Sequence, residues 1–280
     1  MSTPPTNMRT DGLTPLVQGS SQGSWWDESF SRLLLDSIPL DTEQLVEIDC
    51  GLAAAAHSLL PSLPNGRYLG LDFNPERMGE ARKQLEGAHI APRAELRLSA
   101  VNSIPLESGT CDVVLSIMSL QHVPAVSEVL EEAKRALKRG GRFVAVEPDN
   151  LGQRFYFDGV LEEIDQVIHS LCLRARVTKQ PSDIALGPRL PALLREARFG
   201  RIQMRPHLVQ STRYEPAADF FGRLHRIASA IAAEAGLPGD DEVLVSCGQA
   251  INRCQFAGIP KRLGFSSHTV PVFLCVGRKA

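Results

Sequence analysis

The sequence predicts an α/β fold: a doubly wound, mostly parallel sheet of seven strands with helices on both faces. Three observations predict it. Short apolar runs rich in β-branched residues alternate with amphipathic stretches through the first half of the chain. The first such run flows into a loop of small residues, Leu45-Val-Glu-Ile-Asp-Cys-Gly-Leu-Ala-Ala-Ala-Ala56. The second, Tyr68-Leu-Gly-Leu-Asp72, ends in a carboxylate.

The elements follow in order. Residues 1–23, rich in Ser, Thr, Pro, Gly and Gln, read as a mobile segment. A helix is expected over Trp25–Leu35, with Ser24 as its N-cap. Strands are expected at 45–49, 68–72, 94–99, 111–117 and 142–147, with helices at 52–60, 75–86 and 124–138 between them. The Gly140-Gly141 pair is expected to end the last of these helices and turn into the fifth strand. Beyond Pro148 the pattern gives helices at 151–178, 190–197, 214–236 and 242–256, and strands at 201–209 and 269–276. Residues 24–280 then form one domain, with helical insertions at about 150–185 and 213–262 over the substrate side.

Composition narrows the function. The 280 residues carry a formal net charge of −2, which gives no electrostatic case for nucleic acid or a membrane surface as partner. The six cysteines form no C-x-x-C pair, and no histidine lies at zinc-finger spacing, so no metal is expected. They read as small core residues in a reducing compartment. The N-terminus lacks the basic and apolar regions of a signal peptide, and no apolar run is long enough to span a bilayer. A cytoplasmic protein is expected, of unspecified oligomeric state.

The loop and the carboxylate define a binding site. Small residues let the backbone approach a ligand, and Gly51 is the key position. Asp72, about twenty residues on, is placed to accept hydrogen bonds from both hydroxyls of a ribose. The loop is not G-x-G-x-x-G and offers no extended pyrophosphate cradle, which disfavours a nicotinamide dinucleotide and an oxidoreductase.

Four segments in this order resemble the class I S-adenosylmethionine (SAM)-dependent methyltransferases of the ubiquinone/menaquinone, small-molecule type. Glu47-Ile-Asp-Cys-Gly-Leu-Ala53 is similar to the family's acidic-x-Gly-x-Gly-x-Gly motif, and Leu69 to Met78 to its second-strand motif. Ile104 to Val114 and Leu137 to Pro148 resemble its fourth- and fifth-strand segments. The likeness covers roughly residues 24–149. It implies a Rossmann-like methyltransferase fold with SAM held by Glu47, Asp49, Gly51 and Asp72. Phe73, Met78, Ala100, Val101 and Asn102 would line the adenine side, and Ser116 and Ile117 the methionine side. The chain departs from the pattern at Asp49 and Ala53, which stand where the family has glycines, and at Ala100, where many members have an acid. A carboxylate in a tight loop needs a partner, so Asp49 predicts one.

Methyl transfer needs alignment and a dry site more than a dedicated catalytic group. His122 reads as a base or as a helix-capping residue, and Glu147 as a substrate-orienting group or a pin for the adjoining loop. Trp26, Gln121, Phe155 and Tyr156 are placed on the substrate side, although Phe155 and Tyr156 equally suit plain packing. The expected activity is methyl transfer by in-line displacement to a small molecule, with the acceptor atom (O, N, C or S) open. A second reading is a methyltransferase fold with SAM binding weakened by Asp49 and Ala53, serving as a non-catalytic partner.

Overall fold

The computed structural model describes residues 26–158, 162–176, 183, 185–256 and 263–280. Two compact units emerge. One comprises Trp26–Glu147, Gly187–His207 and Phe273–Ala280; the other contains Pro148–Leu186 and Leu208–Val272.

The first unit begins with α1 (Glu28–Leu35), whose N-cap is Asp27; its Oδ1 accepts the Phe30 N–H at 2.7 Å. The predicted cap Ser24 lies outside the described residues, as does Trp25. Then follow β1 (Gln44–Ile48), α2 (Ala54–Leu59), β2 (Arg67–Asp72), α3 (Pro75–Leu85) and β3 (Ala94–Leu98). Next come β4 (Cys111–Ile117), α4 (Val126–Ala136) and β5 (Leu137–Pro148). The first five strands pair in parallel in the order β3-β2-β1-β4-β5. β1, β4 and β5 are apolar on both faces because helices cover both, so Leu45, Val46, Val113, Val114, Phe143 and Val144 are all fully buried.

The Gly140-Gly141 turn predicted before β5 is instead a bulge inside it. Cys111 pairs with Leu137, but Val113 pairs with Arg142, so the intervening residues loop out. Gly140 takes φ +80°, and a Cβ at Gly141 would lie 2.9 Å from the Lys138 carbonyl oxygen.

β6 (Arg154–Phe157), α5 (Glu162–Arg176), α6 (Leu190–Glu196), β7 (Gly200–Pro216), α7 (Ala217–Glu234), α8 (Glu242–Phe256) and β8 (Leu263–Arg278) complete the chain. Among the described residues the sheet therefore has eight strands, not seven. The extra one is β6, which the sequence assigns to a helix. Three consecutive aromatics carry no period of their own, and pairing decides: Arg154–Phe157 runs antiparallel to Ser266–Thr269, burying Phe155 and Phe157 on one face. β7 also runs past the predicted 209, which delays the next helix from 214 to Ala217. In the second unit α5, α7 and α8 pack on one another. Its core includes Phe157, Phe220 and Phe221, with Phe157 stacked on Phe220 at 4.9 Å.

All six cysteines are free and buried. Burial raises every one of their thiol pKa values. Among the described residues, no helix is long and apolar enough to cross a membrane.

Candidate functional site

β1 has β2 on one side and β4 on the other, so chain order reverses at its carboxyl end. Such a switch point opens a crevice between diverging connections. The loop leaving β1 fills that place with alternating left-handed residues: Asp49 at φ +54°, Gly51 at +53° and Ala53 at +58°. These are the three glycine positions of the motif. The backbone keeps the glycine conformation although two of the side chains have changed, and Asp tolerates it better than Ala. A Cβ built at Gly51 meets nothing within 4 Å, so the backbone borders open space there.

Asp72 closes β2 beside this loop and is 1% exposed. Its Oδ2 accepts the Gly51 N–H at 3.0 Å and its Oδ1 the Asn74 N–H at 2.8 Å. Asn74 caps α3, accepting the N–H groups of Glu76 and Arg77, and Pro75 starts the first turn. That turn brings Arg77 back over the site. Its Nη2 donates to Asp72 Oδ1 at 2.9 Å and to Asp49 Oδ1 at 3.0 Å. Here is the partner that Asp49 required. Burial and the Asp49 charge raise the Asp72 pKa; the two N–H groups and Arg77 oppose them.

Glu47 is buried on β1 and accepts a hydrogen bond from the buried Tyr68 hydroxyl. Burial pushes its carboxyl up to about 8, against the Tyr68 bond. Cys50, in the same loop, is tied down by its N–H to the Leu71 carbonyl at 2.8 Å.

Ser116 pairs with Ile48 across β1 and β4, which places it next to the loop. Ser116 is fully buried and Gln121 is 1% exposed, and among the described residues neither Ser116 Oγ nor Gln121 Nε2 has a hydrogen-bond partner. Buried polar atoms of this kind cost about 1–3 kcal/mol each until something meets them. Ile117 is half-buried and ends β4. Beyond it Met118 takes φ +55° and a short 3-10 turn, Leu120–His122, follows. Glu147 holds that turn. Its Oε1 accepts the N–H groups of Ser119 (3.0 Å) and Leu120 (2.7 Å), and its Oε2 that of Gln121 (3.4 Å). Burial raises its carboxyl to about 8 while these bonds pull the other way. Because the carboxylate is engaged on backbone, its geometry is that of a pin. His122 ends the turn and is 9% exposed.

The remaining expectations scatter. Phe73 is 43% exposed, with the Arg77 guanidinium 5.3 Å from its ring centre. Met78, expected on the adenine side, is fully buried on the core side of α3. Ala100 and Val101 lie in the turn after β3, closed by the Ser103 N–H on the Ala100 carbonyl. Asn102 donates to Glu128 at 3.0 Å. Leu52, in the loop after β1, is 39% exposed. Trp26 donates to Ser31 at 2.9 Å and meets Phe30 edge-on, which anchors it to α1. Phe155 is not a substrate wall. It is 1% exposed and stacked on His268 at 4.2 Å, while its neighbour Tyr156 is 37% exposed. Sequence reasoning missed Arg77 and Tyr68. Their signals were the unpaired acids Asp49 and Glu47.

The comparisons point the same way as the fold. Residues 46–143 match the family model described as a methyltransferase domain. The chain is similar to a demethylmenaquinone methyltransferase of Lactobacillus johnsonii, 26% identical over 155 residues, covering 52% of this chain and 62% of that one. It also resembles a 37.1 kDa protein of unassigned function in transposon TN4556 of Streptomyces fradiae, 32% identical over 123 residues (43% of this chain, 35% of that protein). The chain thus spans about a third and about three fifths of these two curated relatives. Among solved structures, a candidate methyltransferase from Bacillus halodurans shares the fold, with TM-score 0.57 and 15% identity over 90% of this chain and 98% of that one.

The donor set fits SAM. A carboxylate stands at the end of β2, the backbone at Gly51 borders open space, and Ser116 Oγ near the end of β4 is buried with no hydrogen-bond partner among the described residues.

Proposed function

We propose that the protein transfers a methyl group from SAM to a small-molecule acceptor. The observation that carries this reading is Asp72, placed at the switch point with its carboxylate 3.0 Å from the Gly51 N–H. SAM supplies an electrophilic methyl group on a sulfonium; the protein has to bind, align and keep water away. Asp72 holds the ribose hydroxyls, Gly51 lets the backbone approach, Phe73 covers the adenine, and Ser116 and Gln121 meet the methionine end. Asp49 and Glu47 act from beneath the loop. His122 takes the proton when the acceptor carries one, and Glu147 fixes the turn that positions it. A small acceptor is supported by the absence of a strongly basic composition and by a quinone-precursor methyltransferase among the relatives.

Calorimetric titration with SAM and S-adenosylhomocysteine tests the reading. Saturable binding should weaken at least ~10-fold in Asp72→Ala, since charge-assisted hydrogen bonds contribute about 1.5–3 kcal/mol. Equal affinity in a folded variant would remove the ribose assignment.

A further inference from the structure

Arginines gather elsewhere on the same unit. Arg142, Arg201, Arg205 and Arg278, with Asp36 and Ser37, line a cavity of about 130 Å³. It is remote from the cofactor crevice along the sheet. Arg142 pairs with Val113 near the amino end of β4, whereas Ser116 and Asp72 lie toward the carboxyl ends of their strands.

Four guanidiniums against one carboxylate leave a local excess of positive charge. Little within the protein offsets it. Arg142 donates to the Ser37 carbonyl at 2.8 Å, a neutral partner. Arg205 reaches Asp36 only at 4.0 Å, and both side chains are at least half exposed, so that pair contributes little. Arg201 and Arg278 make no ion pair among the described residues. Burial, then the Arg278 charge, lowers the Arg142 pKa, with the Asp41 carboxylate opposing them. Arg201 is also held at φ +48°, a conformation a side-chain-bearing residue adopts at a cost. Clustered guanidiniums repel one another unless an anion joins them, and their planar forks match the oxygens of phosphate.

We propose that this cavity is a binding site for a phosphate-type oxyanion, free or as the terminal group of a small phosphomonoester. The volume admits such a group. The ligand's oxygens bridge Arg201 and Arg278 to Arg142, and Arg205 closes the rim.

The test is calorimetry on the full chain with inorganic phosphate and with glycerol 1-phosphate, at low and moderate chloride. Thermal unfolding is followed in parallel. The wild type should bind one equivalent, more weakly as salt rises, and its unfolding temperature should climb with ligand. Arg201→Gln/Arg278→Gln should lose at least ~10-fold in affinity, the worth of one charge-assisted contact. Arg253→Gln, on an exposed arginine of α8, should bind as the wild type does. Binding of both probes assigns a phosphomonoester site, and binding of phosphate alone assigns a free anion. The double variant relieves repulsion, so its unliganded form should unfold no earlier than the wild type. Absence of saturable binding by either probe, or binding that the double variant retains, overturns the proposal.

Discussion

Asp49 and Asp72 are joined through one guanidinium: Arg77 Nη2 lies 3.0 Å from Asp49 Oδ1 and 2.9 Å from Asp72 Oδ1. The carboxylate that replaces a loop glycine and the carboxylate assigned to the ribose thus share one counter-charge. Removing Arg77 leaves two buried acids facing each other. Arg77→Met should therefore weaken SAM binding, and adding Asp49→Gly should restore much of it. A double-mutant cycle in SAM affinity should show coupling of about 1–2 kcal/mol. Additive effects would mean that the two residues act separately.

Ala53 sits at φ +58° and is fully buried. Glycine would relieve about 1–2 kcal/mol of left-handed strain. It would also lose about 0.8 kcal/mol of methyl burial and about 0.5–1 kcal/mol to unfolded-state entropy. These nearly offset, so Ala53→Gly should shift stability by less than about 0.5 kcal/mol. Ala53→Val, β-branched at positive φ, should destabilise by about 2 kcal/mol or more in urea unfolding.

Glu47 gives a pH dependence. Its folded value of about 8 lies above the ordinary 4.5, so the unfolded chain releases the proton first. The stability it contributes is complete below about pH 4.5 and is lost as pH rises through 8. Between those limits the slope from one proton approaches about 1.4 kcal/mol per pH unit. Glu47→Gln keeps an acceptor for Tyr68 and removes the proton. Urea midpoints measured from pH 5 to 8 should fall more gently in the variant; parallel slopes would contradict the assignment.

Glu147 accepts N–H groups from Ser119, Leu120 and Gln121. Glu147→Ala leaves these buried donors unmet and should cost about 3 kcal/mol or more in stability. Glu147→Gln keeps one oxygen for Ser119 and Leu120 and should cost less than half as much. Amide exchange at 119–121 should quicken in the alanine variant well beyond any global change. Exchange there that follows only global stability would argue against the pin.

Much of the first half was legible because its signals are local and periodic. The apolar runs of β1, β2 and β4 and the carboxylate at Asp72 follow from residue types at fixed spacing. Arg77 was not legible, because it reaches Asp49 only through a helix turn set by Asn74 and Pro75, 28 residues away along the chain. β6 was missed because its identity depends on pairing with Ser266–Thr269, more than a hundred residues later. Phe155 reads in the sequence as a substrate-side residue, but it packs in the core against His268. Family position tells where a side chain stands in sequence, while burial decides what it can touch.

The six buried thiols have a practical consequence. Three of them, Cys50, Cys111 and Cys275, lie in one unit, and Cys172, Cys247 and Cys254 in the other. Burial disfavours the thiolate at every one, so alkylating reagents meet an unreactive native state. Labelling then marks opening events. Peptide mass spectrometry after a timed iodoacetamide pulse reads each unit's breathing separately, without any introduced probe.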